Sequence, residues 1–293
     1  MTARLLLGKE IGEKILADIR RELGELKALG VLPGLSVVLV GEDPGSLIYV
    51  GNKARACAEL GIFEETFRLP AATPEDELLD LIDRLNADDR FHGILVQLPL
   101  PGHIDEGKVL LRMNPEKDVD GFHPVNVGRI VAGDALFLPA TPAGIQQLLL
   151  RSGIDPGGKH VVICGRSNIV GKPLANLLLQ KAPGANATVT VCHTGTSDLG
   201  AITCQADILV AAMGSPRAIT ADMVKEGAVV IDVGMNRIPD PLAPKGTRLV
   251  GDVDFEAVRL KASAITPVPG GVGPMTVTML MANVVKAARS RIR

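Results

Sequence analysis

Residues 159–173 read KHVVICGRSNIVGKP, and the fold class follows from their pattern. His160–Cys164 is a short apolar run rich in β-branched side chains, as a buried strand requires. The run breaks at Gly165, and Pro173 suits the first turn of a helix, where its missing N–H costs nothing. A strand, a glycine turn and a helix aim free backbone N–H groups at an anion, with the positive end of the helix dipole behind them. Only Gly165 and Gly171 are present, six apart, so the spacing departs from G-x-G-x-x-G. On this stretch alone, a βα turn that binds nothing stays open.

The residues downstream weigh against that bland reading. Thr188–Cys192 is a second strand, followed by His193, Thr194, Gly195 and Thr196. Residues 206–212 (ADILVAA) form a third, ending at Met213 and Gly214; residues 228–233 (AVVIDV) form a fourth, ending at Gly234, Met235 and Asn236. Strands that repeatedly finish in glycine-containing turns are expected along a crevice holding an extended nucleotide. NAD sites usually place an Asp or Glu after the second strand, to hold the ribose hydroxyls. Here Cys192, His193 and Thr194 stand there, and Arg166 in the first loop is available to pair with a 2′-phosphate. NADP is therefore favoured over NAD.

Upstream, the same alternation continues. Residues 8–29 have helical spacing, 35–40 (LSVVLV) read as a buried strand, and 41–45 (GEDPG) as a turn. Ser46 is a candidate cap for a helix that stops at Gly61. On that helix Leu47, Val50, Ala54, Cys57 and Ala58 form an apolar stripe, while Tyr49 and Lys53, four apart, neighbour each other on a different, non-core face. A merely solvated aromatic–lysine pair is the competing view. Phe63–Leu69 and Gly93–Val96 are further strands, separated by a helix over 74–87 with Thr73 as its cap. Gln97 follows the last strand, at the strand end where open α/β sheets bind ligands. Residues 115–126 are polar and turn-rich; Asp118 and Asp120, if extended, share a side, although such loop carboxylates often do no more than cap. Residues 133–142 read as a linker, 142–150 as a helix, 264–276 as a stiff Pro/Gly loop, and Val277–Arg293 as a final helix with a basic end. Alternating strands and helices predict a parallel, doubly wound α/β arrangement.

Composition sets outer limits. The 293 residues suggest two domains, and 46% hydrophobic residues suffice for sizeable cores. A formal net charge of -2 leaves no electrostatic footprint for nucleic acid. The opening MTARLLLGKEIGEKI has too short an apolar run for a signal peptide, and no run approaches the roughly 20 residues of a membrane span. Cys57, Cys164, Cys192 and Cys204 lack C-x-x-C spacing and are expected as buried free thiols in a reducing cytosol. The five histidines offer no metal-ligand spacing, so no metal site is expected.

Five blocks in order resemble one family: YVGNK (49–53), GILVQLP (93–99), KDVDGF (117–122), GRSNIVG (165–171) and ITPVPGGVGPMT (265–276). Across essentially the whole chain, the sequence is similar to the bifunctional methylenetetrahydrofolate dehydrogenase/methenyltetrahydrofolate cyclohydrolases. The resemblance implies two α/β lobes around a cleft: a folate-binding catalytic lobe over 1–138 plus 275–293, and a Rossmann-like NADP-binding lobe over 139–274. The C-terminal helix would return to the first lobe. Lys53 would be the catalytic lysine, Tyr49 the aromatic against the folate, Gln97 the lysine's assistant and Asp120 the partner of the pterin ring. Pro269, Gly270 and Gly271 would line the folate pocket; Gly165, Arg166 and Ser167 would cradle the cofactor phosphates. Thr194 stands where Ser is frequent near the 2′-phosphate, and Met235 where Ile is frequent beside the cofactor. Residues 181–186 (KAPGAN) look longer than usual between helix and strand, which puts only local loop geometry in question.

The implied reactions are oxidation of 5,10-methylenetetrahydrofolate with NADP and hydrolysis of the methenyl product to 10-formyltetrahydrofolate. They belong to one-carbon metabolism, tetrahydrofolate interconversion and purine biosynthesis, in a cytoplasmic homodimer. A dehydrogenase without cyclohydrolase activity and a non-catalytic folate- or nucleotide-binding scaffold are the alternatives; Lys53 opposes the first, and the intact set Tyr49, Lys53, Gln97 and Asp120 opposes the second. Formate ligation is not expected, because the chain has no G-x-x-x-x-G-K-[ST] loop.

Overall fold

The computed structural model describes residues 2–243 and 246–292. The chain divides into two units. The first comprises Lys14–Ala140 and the chain from Val277 onward; the second comprises Thr141–Thr276 with the residues up to Glu13. This differs from the expected 1–138 at the N-terminus. The cause is β1 (Arg4–Leu5), which pairs in the sheet of the second unit and brings Ala3 into its core. Helix α1 (Gly8–Ala28) follows.

The first unit is built on β2 (Gly34–Val40), α2 (Pro44–Leu60), β3 (Phe63–Leu69), α3 (Glu75–Ala87) and β4 (Gly93–Val96). The three strands form a parallel sheet in the order β3-β2-β4. Central β2 is buried along its whole length, which explains its unbroken apolar run. Phe63 and Phe67 of β3 pack on buried Phe91, and Leu78, Leu81, Ile82 and Leu85 of α3 complete that core. Short α4 (Glu106–Arg112) and α5 (Pro124–Ala132) come next.

Two expected caps are corrected. Asp43, not Ser46, caps α2: its carboxylate accepts from the Ser46 N–H at 2.7 Å, and Pro44 takes the first turn. The helix therefore starts inside the expected turn. At α3 no side chain caps; Pro74 holds the cap position, and Glu75, Asp76 and Glu77 complement the dipole instead of Thr73.

In the second unit α6 (Ala140–Arg151) precedes β5 (His160–Cys164), α7 (Gly171–Leu178), β6 (Thr188–Cys192), α8 (Leu199–Thr203), β7 (Ile208–Ala211) and β8 (Val229–Asp232). After these come β9 (Asn236–Pro239), β10 (Thr247–Val250), α9 (Phe255–Val258), β11 (Ala264–Ile265) and α10 (Val272–Arg289). A six-stranded parallel sheet runs β1-β11-β8-β7-β5-β6, while β9 and β10 pair antiparallel as a separate hairpin. The first long strand, β5, lies between β6 and β7, so the winding reverses there, at the point where doubly wound sheets take ligands. Helix α10 starts five residues before the expected position, inside the glycine-rich stretch, with Pro274 in its first turn. From Val277 it belongs to the first unit, where the buried Asn283 amide donates to the carbonyls of Val119 (2.8 Å) and Leu138 (2.9 Å). All four cysteines are free; Cys204 is half-buried and the other three are buried. Among the described residues no helix is long and apolar enough to cross a membrane.

Candidate active site

Three elements of the first unit bring the expected catalytic residues together. Helix α2 carries Tyr49 and Lys53, the end of β4 carries Gln97, and the turn before α5 carries Asp120. The Gln97 N–H continues the sheet ladder to the Val38 carbonyl at 2.9 Å, so its backbone is held like a strand residue. Its side-chain amide donates to the Leu98 carbonyl at 2.7 Å. That leaves the amide oxygen facing Lys53, whose Nζ donates to it at 3.0 Å. Lys53 is 8% exposed. It is thus not on a non-core face: α2 buries Ser46, Val50, Lys53 and Cys57, while Leu47 keeps 36% of its surface exposed. Tyr49 is 37% exposed, and burial pushes its phenol above the ordinary value.

Electrostatics at Lys53 follow from this seat. Burial pulls its ammonium below the ordinary lysine value, and the charge of Asp120 partly opposes that pull. Burial raises Asp120 in turn, with Lys53 lowering it and the Asp118 charge raising it. Gln97 supplies an acceptor without a charge. A lysine held this way reaches its neutral form closer to neutrality than a free one and is capable of taking a proton.

Asp118 and Asp120 do not lie on one extended strand. The segment is a turn, with Val119 N–H donating to Lys117 O at 2.9 Å and Gly121 N–H to Asp118 O at 3.1 Å. Asp118 is wholly buried and serves the loop, accepting at Oδ2 from the His123 N–H (2.7 Å) and the Asn126 side chain (2.8 Å). Lys117, to which sequence pattern alone gives no role, is also buried; its Nζ donates to the carbonyls of Leu85 (2.9 Å) and Asp88 (2.8 Å), closing the end of α3. A lysine followed by an aspartate in a turn carries no local signal of either role, since both depend on partners far along the chain.

In the second unit the turn after β5 is tightly specified. Gly165 has φ +133°, and a Cβ there would collide with the Ala212 carbonyl; one on Gly171 would collide with the carbonyl of Gly165. Ser167 Oγ accepts from Val170 N–H at 3.1 Å and Gly171 N–H at 3.4 Å, tying the turn to α7. Arg166 is exposed and has no carboxylate partner among the described residues. After β6, Thr196 Oγ1 accepts from His193 N–H at 2.8 Å and His193 Nδ1 from Gly195 N–H at 3.0 Å, leaving Thr194 exposed. Met235, after β8, is exposed. Farther along, Gly270 has φ +109° and its carbonyl accepts from Gly8 N–H at 2.9 Å. Gly271 N–H donates to Pro267 O at 2.8 Å, and a Cβ on Gly271 would strike Thr266 and Pro267. With Pro269, these two glycines form a bare, stiff stretch of backbone.

Residues 6–120 match the model of the tetrahydrofolate dehydrogenase/cyclohydrolase catalytic domain, and residues 139–292 match that family's NAD(P)-binding domain. The chain belongs to the tetrahydrofolate dehydrogenase/cyclohydrolase family. It is a bifunctional methylenetetrahydrofolate dehydrogenase and methenyltetrahydrofolate cyclohydrolase with a Rossmann-like NAD(P)-binding domain. The bifunctional FolD protein of Syntrophus aciditrophicus is 61% identical over 289 residues, covering 99% of this chain and 98% of that one. The crystal structure of the Campylobacter jejuni bifunctional enzyme superposes with a TM-score of 0.92 at 49% identity, over 99% of this chain and 100% of that one. The Trypanosoma brucei enzyme of the family, solved with NADP and an inhibitor, gives a TM-score of 0.94 at 39% identity, over 100% and 99% of the two chains. The turn at Gly165 suits the group that such a domain takes: no side chain fits on Gly165 or Gly171, α7 opens behind them, and the guanidinium of Arg166, without a carboxylate partner among the described residues, follows Gly165 in the chain.

Proposed function

We propose that Lys53, held by Gln97, moves the protons of the cyclohydrolase step, and that the dehydrogenase step relies on positioning by Tyr49, Asp120 and bare backbone at Pro269–Gly271. The observation that carries this is the buried amine of Lys53, 3.0 Å from an uncharged acceptor. When bound, NADP supplies the acceptor for the hydride that leaves the methylene carbon between N5 and N10. No proton leaves carbon in that step, so orientation bears most of the load. Tyr49 offers a ring face to the flat substrate, and Asp120 a carboxylate to the donors of the pterin ring.

Hydrolysis asks more of the side chains. Water adds to the methenyl carbon and loses one proton, leaving a neutral carbinolamine. As its N5–carbon bond breaks, N5 gains a proton and the hydroxyl proton leaves to solvent, so the oxygen becomes the formyl carbonyl. Neutral Lys53 takes the first proton and returns it to N5. A carboxylate at position 97 would hold the amine protonated; the amide does not. Arg166 pairs with the 2′-phosphate, which favours NADP over NAD; Gly165 and Ser167 present the turn to the diphosphate, Thr194 adds a hydroxyl and Met235 an apolar surface. The family resemblance supports two further points, a homodimer joined through the nucleotide domain and a cytoplasmic location.

The test is Lys53→Met, assayed by loss of methenyltetrahydrofolate absorbance and by NADP reduction. Hydrolysis is expected to fall to the uncatalysed rate while NADPH binding holds. An unchanged hydrolysis rate would remove Lys53 from the mechanism.

A further inference from the structure

Two buried carboxylates in the nucleotide domain have no part in the chemistry above. Asp252, with no exposed surface, accepts four hydrogen bonds. Oδ2 takes the N–H groups of Met213 (2.5 Å) and Gly214 (3.0 Å), and Oδ1 takes the Ser215 N–H (2.9 Å) and the Asn236 side-chain amide (2.8 Å). Asp232, the last residue of β8, lies beneath it: Oδ1 accepts from the N–H groups of Gly234 (2.9 Å) and Asp252 (2.9 Å), and Oδ2 from that of Val253 (3.0 Å). The approach is so close that a Cβ on Gly234 would strike Asp252, and one on Gly251 would strike Asp232.

The segments held here are 213–215, leaving β7, and 234–236, leaving β8. Both depart from the C-terminal ends of neighbouring parallel strands, and β7 adjoins β5, whose following residue Gly165 packs on the Ala212 carbonyl. The N–H groups of Met213, Gly214 and Ser215 donate to a side chain and not to a sheet or helix carbonyl, and buried N–H groups need acceptors. One carboxylate supplies them to the first segment and anchors the second through Asn236. Met235 is the exposed residue between Gly234 and Asn236, each of which is anchored.

We infer that Asp252, seated on Asp232, is a positioning residue for the dinucleotide: it sets the shape of the turns after β7 and β8 before the ligand arrives. This rests on the NAD(P)-binding reading of the domain. A preformed turn spares the ordering cost that a loose one would charge against binding. Asp252→Asn keeps the shape but turns an amide N–H₂ toward two donors, so two of the four bonds are lost and replaced by opposition.

The experiment uses the full chain. KM for NADP and kcat of methylene oxidation, NADPH affinity by fluorescence titration, methenyl hydrolysis without nucleotide and the thermal midpoint are measured for the wild type, Asp252→Asn and Asn236→Ser. Asp252→Asn is expected to raise the NADP KM and the NADPH Kd about tenfold or more, with kcat and nucleotide-free hydrolysis changed no more than about threefold. Asn236→Ser, which removes one strut, is expected to raise both constants about threefold. An unchanged KM in folded Asp252→Asn overturns the inference, and so does a parallel fall of both activities. If Asp252→Asn does not fold, an unchanged KM in Asn236→Ser overturns it. Absence of NADP reduction by the wild type would instead refute the dehydrogenase reading.

Discussion

Replacing Gln97 by glutamate puts a negative charge where the structure has a neutral amide, with almost no change of shape. The side-chain oxygen stands 3.0 Å from Lys53 Nζ. A unit charge at that separation, with an effective dielectric constant of about 20, stabilises the ammonium by about 5 kcal/mol. Partial exposure of residue 97 cuts this to about 3 kcal/mol, which raises the Lys53 pKa by about two units. On the mechanism proposed above the acting form of Lys53 is the neutral amine, so hydrolysis is expected to rise with pH through the lysine's pKa. The Gln97→Glu substitution therefore moves that rising limb about two units upward, and at a fixed pH below it the rate falls about a hundredfold. The assay is the pH–rate profile of methenyltetrahydrofolate hydrolysis, corrected for the uncatalysed reaction. NADPH affinity, read alongside, is expected to hold. A limb that stays in place, or moves to lower pH, would refute the proton role of Lys53.

Arg166→Ala removes a guanidinium that has no carboxylate partner among the described residues. The NADP KM is expected to rise about tenfold or more while the NAD KM moves less than about twofold, as steady-state kinetics with both nucleotides will read. Lys117 gives a stability test: burial lowers its ammonium to about 8. An unfolded lysine titrates near about 10.4, so between those values the unfolded chain binds more protons and stability rises with pH. Below that window the folded state bears the full cost of the buried charge. Lys117→Met is expected to remove this slope, measured as the difference between denaturant midpoints at about pH 7.5 and about pH 9.5; an equal slope in the variant would contradict it.

Much of the architecture is legible because it is local. His160–Cys164 is an apolar run bounded by turn residues and is buried from Val161 onward, as an inner parallel strand must be, while Thr188–Cys192, at the sheet edge, alternates Thr and Val and buries only Cys192. Gly165 and Gly171 announce a close approach of backbone, although not which carbonyl each must clear. The candidate catalytic set was legible only as motif blocks. Periodicity placed Lys53 off the core face, whereas α2 buries it, because the Gln97 acceptor makes room for an amine where helical spacing allows for none. The two-residue strands β1 and β11 were illegible: two residues carry no period, and their pairing, Arg4 with Ala264 and Leu5 with Ile265, spans nearly the whole chain. Asp43 outcompeted Ser46 as a cap because Pro44 had already set the backbone for a first turn.

The amino-acid sequence by itself determined the α/β class, the glycine turn, and the types of residue available for proton transfer and anion binding. These depend on backbone preferences and on neighbours within a turn or two. Tertiary structure alone decided which of those residues are buried and what each one faces: Lys53 against Gln97, Lys117 against the end of α3, Asp252 against the turns after β7 and β8. Burial and a specific partner set the charge state of an ionisable group, and both come from segments that meet only when the chain is folded.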